Sequence, residues 1–210
     1  VLNEVVMEFS YAKRDDKEML REFGKRKEKW LKITPQGVLV FFASYKMMFD
    51  CVDKWRQNGQ LDRLRAIKTL CIESRNPNEQ LENIKLYCSS ARQGAVFFSV
   101  AGGKLSEGFD FTDYMARLVI VLGVPFPNTQ DMKLQAKKSA LSSGVKVSNR
   151  RQRLSFDDFY VSKTMRGVNQ IIGRAIRHAN DFGAALLVDS RYCFDRQKRL
   201  LSSWAHKCVQ

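Results

Sequence analysis

The sequence predicts an α/β fold in which helices flank a mainly parallel β-sheet, and three observations support this prediction. Apolar runs of strand length alternate with segments of helical periodicity along most of the 210 residues. Most of these runs are continuously apolar, which is typical of parallel strands covered on both faces. The length suits a single domain that buries a sizeable core.

Each element follows from its local pattern. Helices are predicted over 15–31, where Asp15 and Asp16 supply a cap, and over 45–57, 78–91 and 156–179. We assign residues 1–210 to one domain, with 1–33 as an N-terminal strand and helix extension and 131–153 as a basic insertion loop. Strands are predicted over 37–42, 67–72, 94–100, 118–122 and 184–188.

The charge balance points to a polyanionic partner. The chain has 36 Lys and Arg against 22 Asp and Glu, a formal net charge of +14, which favours nucleic acid over a membrane surface. Its apolar runs are too short to span a membrane, and no signal-peptide pattern opens the chain, so we expect neither insertion nor export. The five cysteines form no CxxC pair. They indicate a reducing compartment and argue against a zinc site or a disulfide framework.

Basic residues are concentrated between Asp131 and Arg153. This segment has only one acid, and its serines, with Gly144 and Asn149, give it the character of a loop. A solvated surface loop and a loop that contacts phosphate both remain open interpretations. The basic residues are Lys133, Lys137, Lys138, Lys146, Arg150, Arg151 and Arg153.

A Gly-rich stretch, residues 101–111, directly follows a predicted strand. Ligands bind at the carboxyl ends of parallel strands, and glycines allow close approach of the backbone. A phosphate-binding Walker loop is excluded, because Phe98 and Leu105 occupy positions that require Gly and Ser or Thr. A plain Gly-rich turn is the alternative. The polar residues of the stretch are Lys104, Ser106, Glu107 and Asp110.

A second candidate site follows from the wheel of the predicted helix 156–179. At about 100° per residue, its apolar residues fall on the side opposite Gln170. Arginines one helical turn apart can bind phosphate oxygens through their paired N–H donors. A solvated basic face that binds no ligand is the alternative interpretation. The residues on the same side as Gln170 are Lys163, Arg166, Arg174 and Arg177.

Smaller signals have structural interpretations. Ser44 follows the first strand and either caps the next helix or bonds a phosphate. Asp189 and Arg191 are predicted to form a local ion pair that shapes a turn. His178 and His206 have no evident metal-ligand partner in the sequence, and we predict no metal site.

Taken together, these segments resemble the second RecA-like motor domain of superfamily 2 iron–sulfur DNA helicases, typified by the xeroderma pigmentosum group D protein. Within that family the resemblance is to the Fanconi anaemia group J, telomere-length-regulator and Chl1-type branch. Residues 40–45 are similar to motif IV, 103–111 to motif V and 168–178 to motif VI. Phe109 and Gly167 depart from the family pattern. Residues 123–128, 181–183 and 189–192 also fit.

The resemblance implies a role for each matching residue. Arg177 would be the arginine finger that reaches the ATP γ-phosphate, with Arg174 beside it and Gln170 holding phosphate or the attacking water. Glu107, Gly108 and Asp110 would couple nucleotide to DNA. The DNA-facing residues would be Ser44 with Lys104 and Ser106, and the basic segment would add Lys137, Lys138, Arg150 and Arg151.

The resemblance also implies partners and location. ATP and Mg²⁺ would bind at the interface with a first motor domain of the same protein, and a 4Fe-4S cluster would lie in that domain. The implied activity is 5′→3′ unwinding in the nucleus, on single-stranded DNA or DNA junctions. Two alternatives stay open: a nucleic-acid-binding module that keeps the fold without motor activity, and a fragment of a DEAH-type RNA helicase. Ile176 disfavours the latter, which usually has Gly there.

Overall fold

A five-stranded parallel sheet is the centre of the structure, a computed structural model that describes residues 6–10, 12–13, 16–103, 105, 108–142 and 155–209. The strand order is β2-β3-β1-β4-β5. The predicted fold class and all five predicted strands are confirmed, although β2 begins two residues later than predicted. The strands are β1 Gly37–Phe42, β2 Thr69–Ile72, β3 Ala95–Val100, β4 Leu118–Leu122 and β5 Ala184–Val188.

The helices begin at polar caps that the sequence displays. The side chains of Asp16, Ser44 and Ser155 each accept a hydrogen bond from a backbone N–H of the first turn that follows. Helices α3, α5, α7 and α8 were not predicted. The helices are α1 Lys17–Ile33, α2 Tyr45–Gln57, α3 Gln60–Ile67, α4 Pro77–Gly94, α5 Met132–Ser142, α6 Phe156–Ile172, α7 Asp195–Arg199 and α8 Ser203–Lys207. None of these helices, within the described residues, is long and apolar enough to cross a membrane.

The sheet is buried on both faces, as the continuously apolar strands predict. Side chains alternate between the faces, so Val40 and Phe42 pack with α1, α2 and α3, whereas Leu39 and Phe41 pack towards α4 and α6. Phe42, at the end of the central strand β1, is paired in register with residues that end β3 and β4. The loops that follow these three strands therefore emerge together at one edge of the sheet.

The predicted helix over 156–179 was too long. It ends at Ile172, where the N–H of Gly173 bonds to the carbonyl of Asn169 and the chain continues in tighter turns. Beyond this point the chain entering β5 packs closely against it, since a Cβ on Gly183 would lie 2.4 Å from the carbonyl oxygen of Ala175. The predicted helix was too long because Ala175 fits the apolar periodicity and is buried, although it lies outside the helix. The predicted single strip of arginines on this helix is therefore wrong.

The prediction that 131–153 is a loop was also wrong over its first half. Residues 132–142 form α5, because Asp131 caps it by accepting a hydrogen bond of 3.0 Å from the N–H of Leu134. Leu134 is buried, while most other side chains of this helix are exposed. The weak amphipathic pattern that results explains why helical periodicity was not evident in the sequence. Arg150 and Arg151 lie outside the described residues.

Candidate functional site

An open cleft of about 1280 Å³ lies at the edge where β1, β3 and β4 end. Its floor is formed by the loops after these strands, and one wall is the exposed face of α6. A cleft at the carboxyl ends of parallel strands is the usual ligand site of such sheets. Residues that line it include Ala43, Ser44, Ala101, Gly102, Lys163, Arg166, Gly167, Gln170 and the segment 124–129.

The α6 wall of the cleft is basic. Lys163, Arg166 and Gln170 are exposed and lie on successive turns of α6. Arg191 also lines the cleft, but its guanidinium makes two hydrogen bonds, of 2.7 and 2.8 Å, to the carboxylate of Asp189. That pair confirms the predicted local ion pair. The charge available to an anion in the cleft therefore comes mainly from Lys163 and Arg166.

Aromatic rings continue the cleft towards α5. Phe126 stacks on Tyr160 with ring centroids 5.2 Å apart and planes within 10°. The ammonium groups of Lys137 and Lys138 lie over the neighbouring rings of Phe159 and Phe156, 5.6 and 5.7 Å from the centroids. Lys137 thus lies beside a ring that lines the cleft, and Lys138 lies beside Phe156, which contacts the cleft-lining Phe159 and Tyr160.

Ser44 caps α2, and it also lines the cleft. Its Oγ accepts a hydrogen bond of 3.2 Å from the N–H of Met47. Across the floor, Gly102 has a φ of +73°, a conformation that favours glycine, and it begins the Gly-rich stretch.

The other end of the Gly-rich stretch meets the segment after α6. Arg174 donates from Nη1 to the carbonyl oxygen of Phe109 at 2.6 Å, and Arg177 forms an ion pair with Asp110 at 2.5 Å. Burial lowers the pKa of Arg174, and the neighbouring Arg177 lowers it further, yet a guanidinium remains charged. Two guanidinium groups and one carboxylate are thereby gathered on two loops.

Asp181 supports this cluster and was not identified from the sequence as doing so. Its carboxylate accepts hydrogen bonds from the Arg117 guanidinium at 2.6 Å and from the backbone N–H of Arg177 at 3.0 Å. Burial raises the pKa of Asp181, but these hydrogen bonds and one from the N–H of Phe182 outweigh burial, so the pKa lies below its ordinary value. Asp181 therefore fixes the backbone from which the Arg177 side chain projects.

His178 has a partner that its sequence neighbours do not reveal. Its Nε2 lies 2.9 Å from Oδ1 of Asp113, and Asp181 is the third member of this group, with all ligand atoms within 4.8 Å of one another. Because the oxygens of Asp181 already accept three N–H donors, we assign the group to holding the loops together rather than to a metal.

The structure brings together some predicted site residues and separates others. Arg174, Arg177 and Asp110 form one cluster, with Gly108 close by in the same stretch. Gln170 lines the open cleft with Ser44 instead. Lys104, Ser106 and Glu107 lie outside the described residues.

The chain is a RecA-like α/β domain. The features that define it are the order of the parallel strands, the cleft at their carboxyl ends and the arginine cluster. The same fold occurs in a structure described as an XPD helicase, with a TM-score of 0.64 and 22% identity over 97% of this chain and 33% of the other. It also occurs in the C-terminal domain of the DEAD-box protein Dbp5, with a TM-score of 0.50 and 11% identity over 98% of this chain and 84% of that one.

The chain belongs to the helicase C-terminal domain family, whose profile matches residues 27–208. It is 40% identical over 209 residues to the ATP-dependent DNA helicase chl1 of Schizosaccharomyces pombe, covering 98% of this chain and 25% of the relative. It is 38% identical to a regulator of telomere elongation helicase 1 homolog of Aedes aegypti, covering 94% of this chain and 20% of that protein. The chain thus spans about a quarter or less of the length of these relatives, and its resemblance to the xeroderma pigmentosum group D and Chl1-type helicases is confirmed.

Proposed function

We propose that this chain is the second motor domain of an ATP-dependent DNA helicase that moves 5′→3′ on single-stranded DNA. One observation carries the proposal. The Gly-rich stretch has Gly102 in the open cleft and Asp110 beside Arg177. A single segment therefore touches both a basic cleft suited to a nucleic-acid backbone and an arginine cluster suited to a nucleotide phosphate.

Arg177 acts in this proposal as an arginine finger. A guanidinium beside the γ-phosphate stabilises the charge that spreads over the phosphoryl oxygens in the transition state, and such a residue contributes on the order of 10³-fold or more to the rate. Arg174 is anchored by the carbonyl of Phe109 and lies close enough to Arg177 to influence it electrostatically. Both side chains present forked donors that suit phosphate geometry.

The remaining parts of the ATP site belong to a first motor domain. The Gly-rich stretch has neither the glycine nor the hydroxyl residue of a Walker loop, so the phosphate cradle and the groups that hold Mg²⁺ would come from elsewhere in the protein. An iron–sulfur cluster does not fit this chain. Among the described residues no group of cysteines converges on a common point, and Cys51 and Cys71 are buried.

The cleft is the proposed surface for single-stranded DNA. Lys163, Arg166 and the Ser44 hydroxyl line it, and together they offer charged and neutral donors to successive phosphates. Backbone contacts of this kind do not depend on base sequence, as a translocating motor requires.

The test is Arg177→Ala in the complete helicase that contains this chain, with Arg65→Ala as a matched control. Arg65 is exposed on α3 and pairs with the neighbouring Asp62. We expect Arg177→Ala to lower ATP turnover by about 10³-fold with nucleotide and DNA binding retained, and Arg65→Ala to leave turnover unchanged. Near-normal turnover by Arg177→Ala would refute the finger assignment. A wild-type protein that binds DNA but does not hydrolyse ATP would favour the binding module without a motor.

A further inference from the structure

A buried carboxylate at the end of β2 connects the loops that form the cleft floor. Glu73 directly follows Ile72, the last residue of β2, and only 2% of its surface is exposed. Its N–H donates to the carbonyl of Phe98 on β3 at 2.8 Å, which extends the sheet by one more backbone bond. The side chain contacts the end of β3 and the first residue of α2.

Three donors from two different segments converge on this carboxylate. The Tyr45 hydroxyl donates to Oε1 at 2.7 Å, while the Ser99 hydroxyl and the N–H of Val100 donate to Oε2 at 2.5 and 2.8 Å. All three donors are neutral. Tyr45 is the first residue of α2, directly after Ser44, whereas Ser99 and Val100 end β3, directly before Ala101 and Gly102.

The fit around Glu73 is tight enough to constrain the Gly-rich stretch. A Cβ on Gly103 would lie 2.8 Å from Oε1 of Glu73 and 2.9 Å from the carbonyl oxygen of Val100, closer than van der Waals contact allows. Gly103 is therefore required for close approach to the carboxylate. On the other side, the guanidinium of Arg75 lies 4.8 Å from the ring centroid of Tyr45 and covers it.

We propose that Glu73 is a positioning residue that locks the 43–45 and 99–103 segments together, so that the nucleic-acid-facing groups of the cleft floor are held in one arrangement before DNA binds. A carboxylate suits this role because its two oxygens accept several hydrogen bonds at once. Pre-arranged groups bind more tightly because less conformational entropy is lost on binding. The inference rests on the proposed function, since it assigns the cleft to DNA.

Tyr45→Phe is the most informative variant, because it removes one donor and keeps the aromatic ring and the fold. In the complete helicase, we expect the DNA concentration that gives half-maximal ATPase stimulation to rise at least fivefold, with turnover at saturating DNA within about twofold of wild type. Ser99→Ala should act in the same direction through the other segment. Ser89→Ala is its matched control, because the exposed Ser89 hydroxyl donates within α4, to the carbonyl of Leu86.

Substitutions of Glu73 itself should raise the DNA concentration for half-maximal stimulation by different amounts, according to how many hydrogen bonds each one removes. In Glu73→Gln one oxygen remains for Ser99 and Val100, and the amide can donate to the Tyr45 oxygen, so we expect a smaller rise than in Glu73→Ala. Glu82→Gln removes the same charge from the exposed face of α4 and should change nothing. If Glu73→Ala does not fold, Tyr45→Phe and Ser99→Ala still test whether Glu73 positions the cleft floor.

Hydrogen exchange separates positioning from simple stabilisation. The N–H of Ala101 bonds to the carbonyl of Phe42, and the N–H of Gly103 bonds to that of Val100. We expect Tyr45→Phe to speed exchange at these two amides, in the other segment, while the midpoint of thermal unfolding shifts by less than about 2 °C. Unchanged exchange there would overturn the inference. If Tyr45→Phe speeds exchange at these amides but DNA does not stimulate the ATPase of the wild-type helicase, only the proposed function is overturned.

Discussion

Arg177 and Asp110 form an ion pair of 2.5 Å between the segment after α6 and the end of the Gly-rich stretch. The Arg177 side chain is 34% exposed and that of Asp110 is 69% exposed. An exposed pair of this kind contributes little to stability, so its significance is geometric. The carboxylate holds the guanidinium in place, and a phosphate arriving from a first motor domain would compete for the same donors.

The first prediction tests this pair with Asp110→Asn in the complete helicase. Because Asp110 would position the proposed arginine finger, and a misplaced catalytic group costs rate, we expect ATP turnover to fall on the order of tenfold. The midpoint of thermal unfolding should fall by less than about 3 °C, since an exposed pair is worth about 1 kcal/mol at most. Asp50→Asn is the control, because Asp50 pairs with Lys46 on the exposed side of α2. Equal effects of both variants on turnover would contradict a specific role for Asp110.

The second prediction concerns the buried pair behind Arg177. Arg117 is 10% exposed and Asp181 only 2%, so Asp181→Asn leaves an incompletely compensated guanidinium. We expect a loss of about 3 kcal/mol in the free energy of unfolding. The matched control Asp62→Asn breaks the exposed pair with Arg65 and should cost under about 0.5 kcal/mol. Chemical denaturation of both variants provides the measurement, and equal costs would contradict the prediction.

The same pair has a defined pH dependence. The pKa of Asp181 is lower in the folded protein than its ordinary value of 3.8, so the unfolded chain binds more protons in the interval between the two values. This contribution to stability is therefore fully present above pH 3.8 and is lost as the pH falls through the folded pKa. Asp181→Asn should lose this component of acid sensitivity, and denaturation curves from about pH 6 to about pH 2 measure it.

Much of this architecture could be predicted because it follows from local sequence. Apolar runs, most of them continuous, identified all five strands, and capping residues indicated the starts of α1 and α2. The order of the strands and the end of α6 depend on packing between distant segments. Gly183, for example, packs against Ala175 just beyond the end of α6, and no periodicity in the sequence indicates that contact.

The candidate site was partly predictable for the same reason. Motif resemblance identified Arg174, Arg177 and Asp110, but Glu73 and Asp181 act through partners far away in the chain. Glu73 follows a short apolar strand and resembles an ordinary surface acid in sequence. Only the fold shows that hydroxyl groups from two other segments converge on it.

The third prediction concerns Lys27, a fully buried lysine within an aromatic cluster. Its ammonium lies over the ring of Trp55 and near those of Phe23 and Phe98, and it has no hydrogen-bond acceptor among the described residues. Burial places its pKa well below the ordinary 10.5. Lys27→Met keeps a similar shape and removes the polar group, so we expect the free energy of unfolding to rise by about 1–3 kcal/mol.

Controls for Lys27 come from position and from pH. Lys29→Met, on the exposed side of α1, should leave stability within about 0.5 kcal/mol of wild type. Because the folded pKa of Lys27 is lowered, the unfolded chain binds more protons below pH 10.5, and wild-type stability gains from rising pH across that interval. The advantage of Lys27→Met should therefore shrink as the pH approaches 10.5. A constant difference in denaturation midpoints between pH 7 and 10 would contradict the prediction, because it would mean that Lys27 stays charged and compensated in the folded protein.

The last prediction locates the DNA path by its salt dependence. Each phosphate contact to a single strand adds about 0.7 to the slope of log affinity against log salt concentration, because it releases condensed counterions. Lys163 and Arg166 line the cleft, whereas Lys137 and Lys138 lie beside its aromatic rim. The double variant Lys163→Ala with Arg166→Ala should therefore lose more slope than Lys137→Ala with Lys138→Ala. Adding Arg150→Ala and Arg151→Ala to the second pair should lower affinity further if the basic segment contacts phosphate.

The control for net charge alone is the double variant Lys29→Ala with Lys85→Ala, which changes two exposed lysines of α1 and α4. Fluorescence anisotropy of a labelled oligothymidine at several salt concentrations measures affinity and slope together. If the cleft variants matched the α1 and α4 control, the strand would have to bind outside the cleft, and Glu73 would have no DNA-facing groups to position.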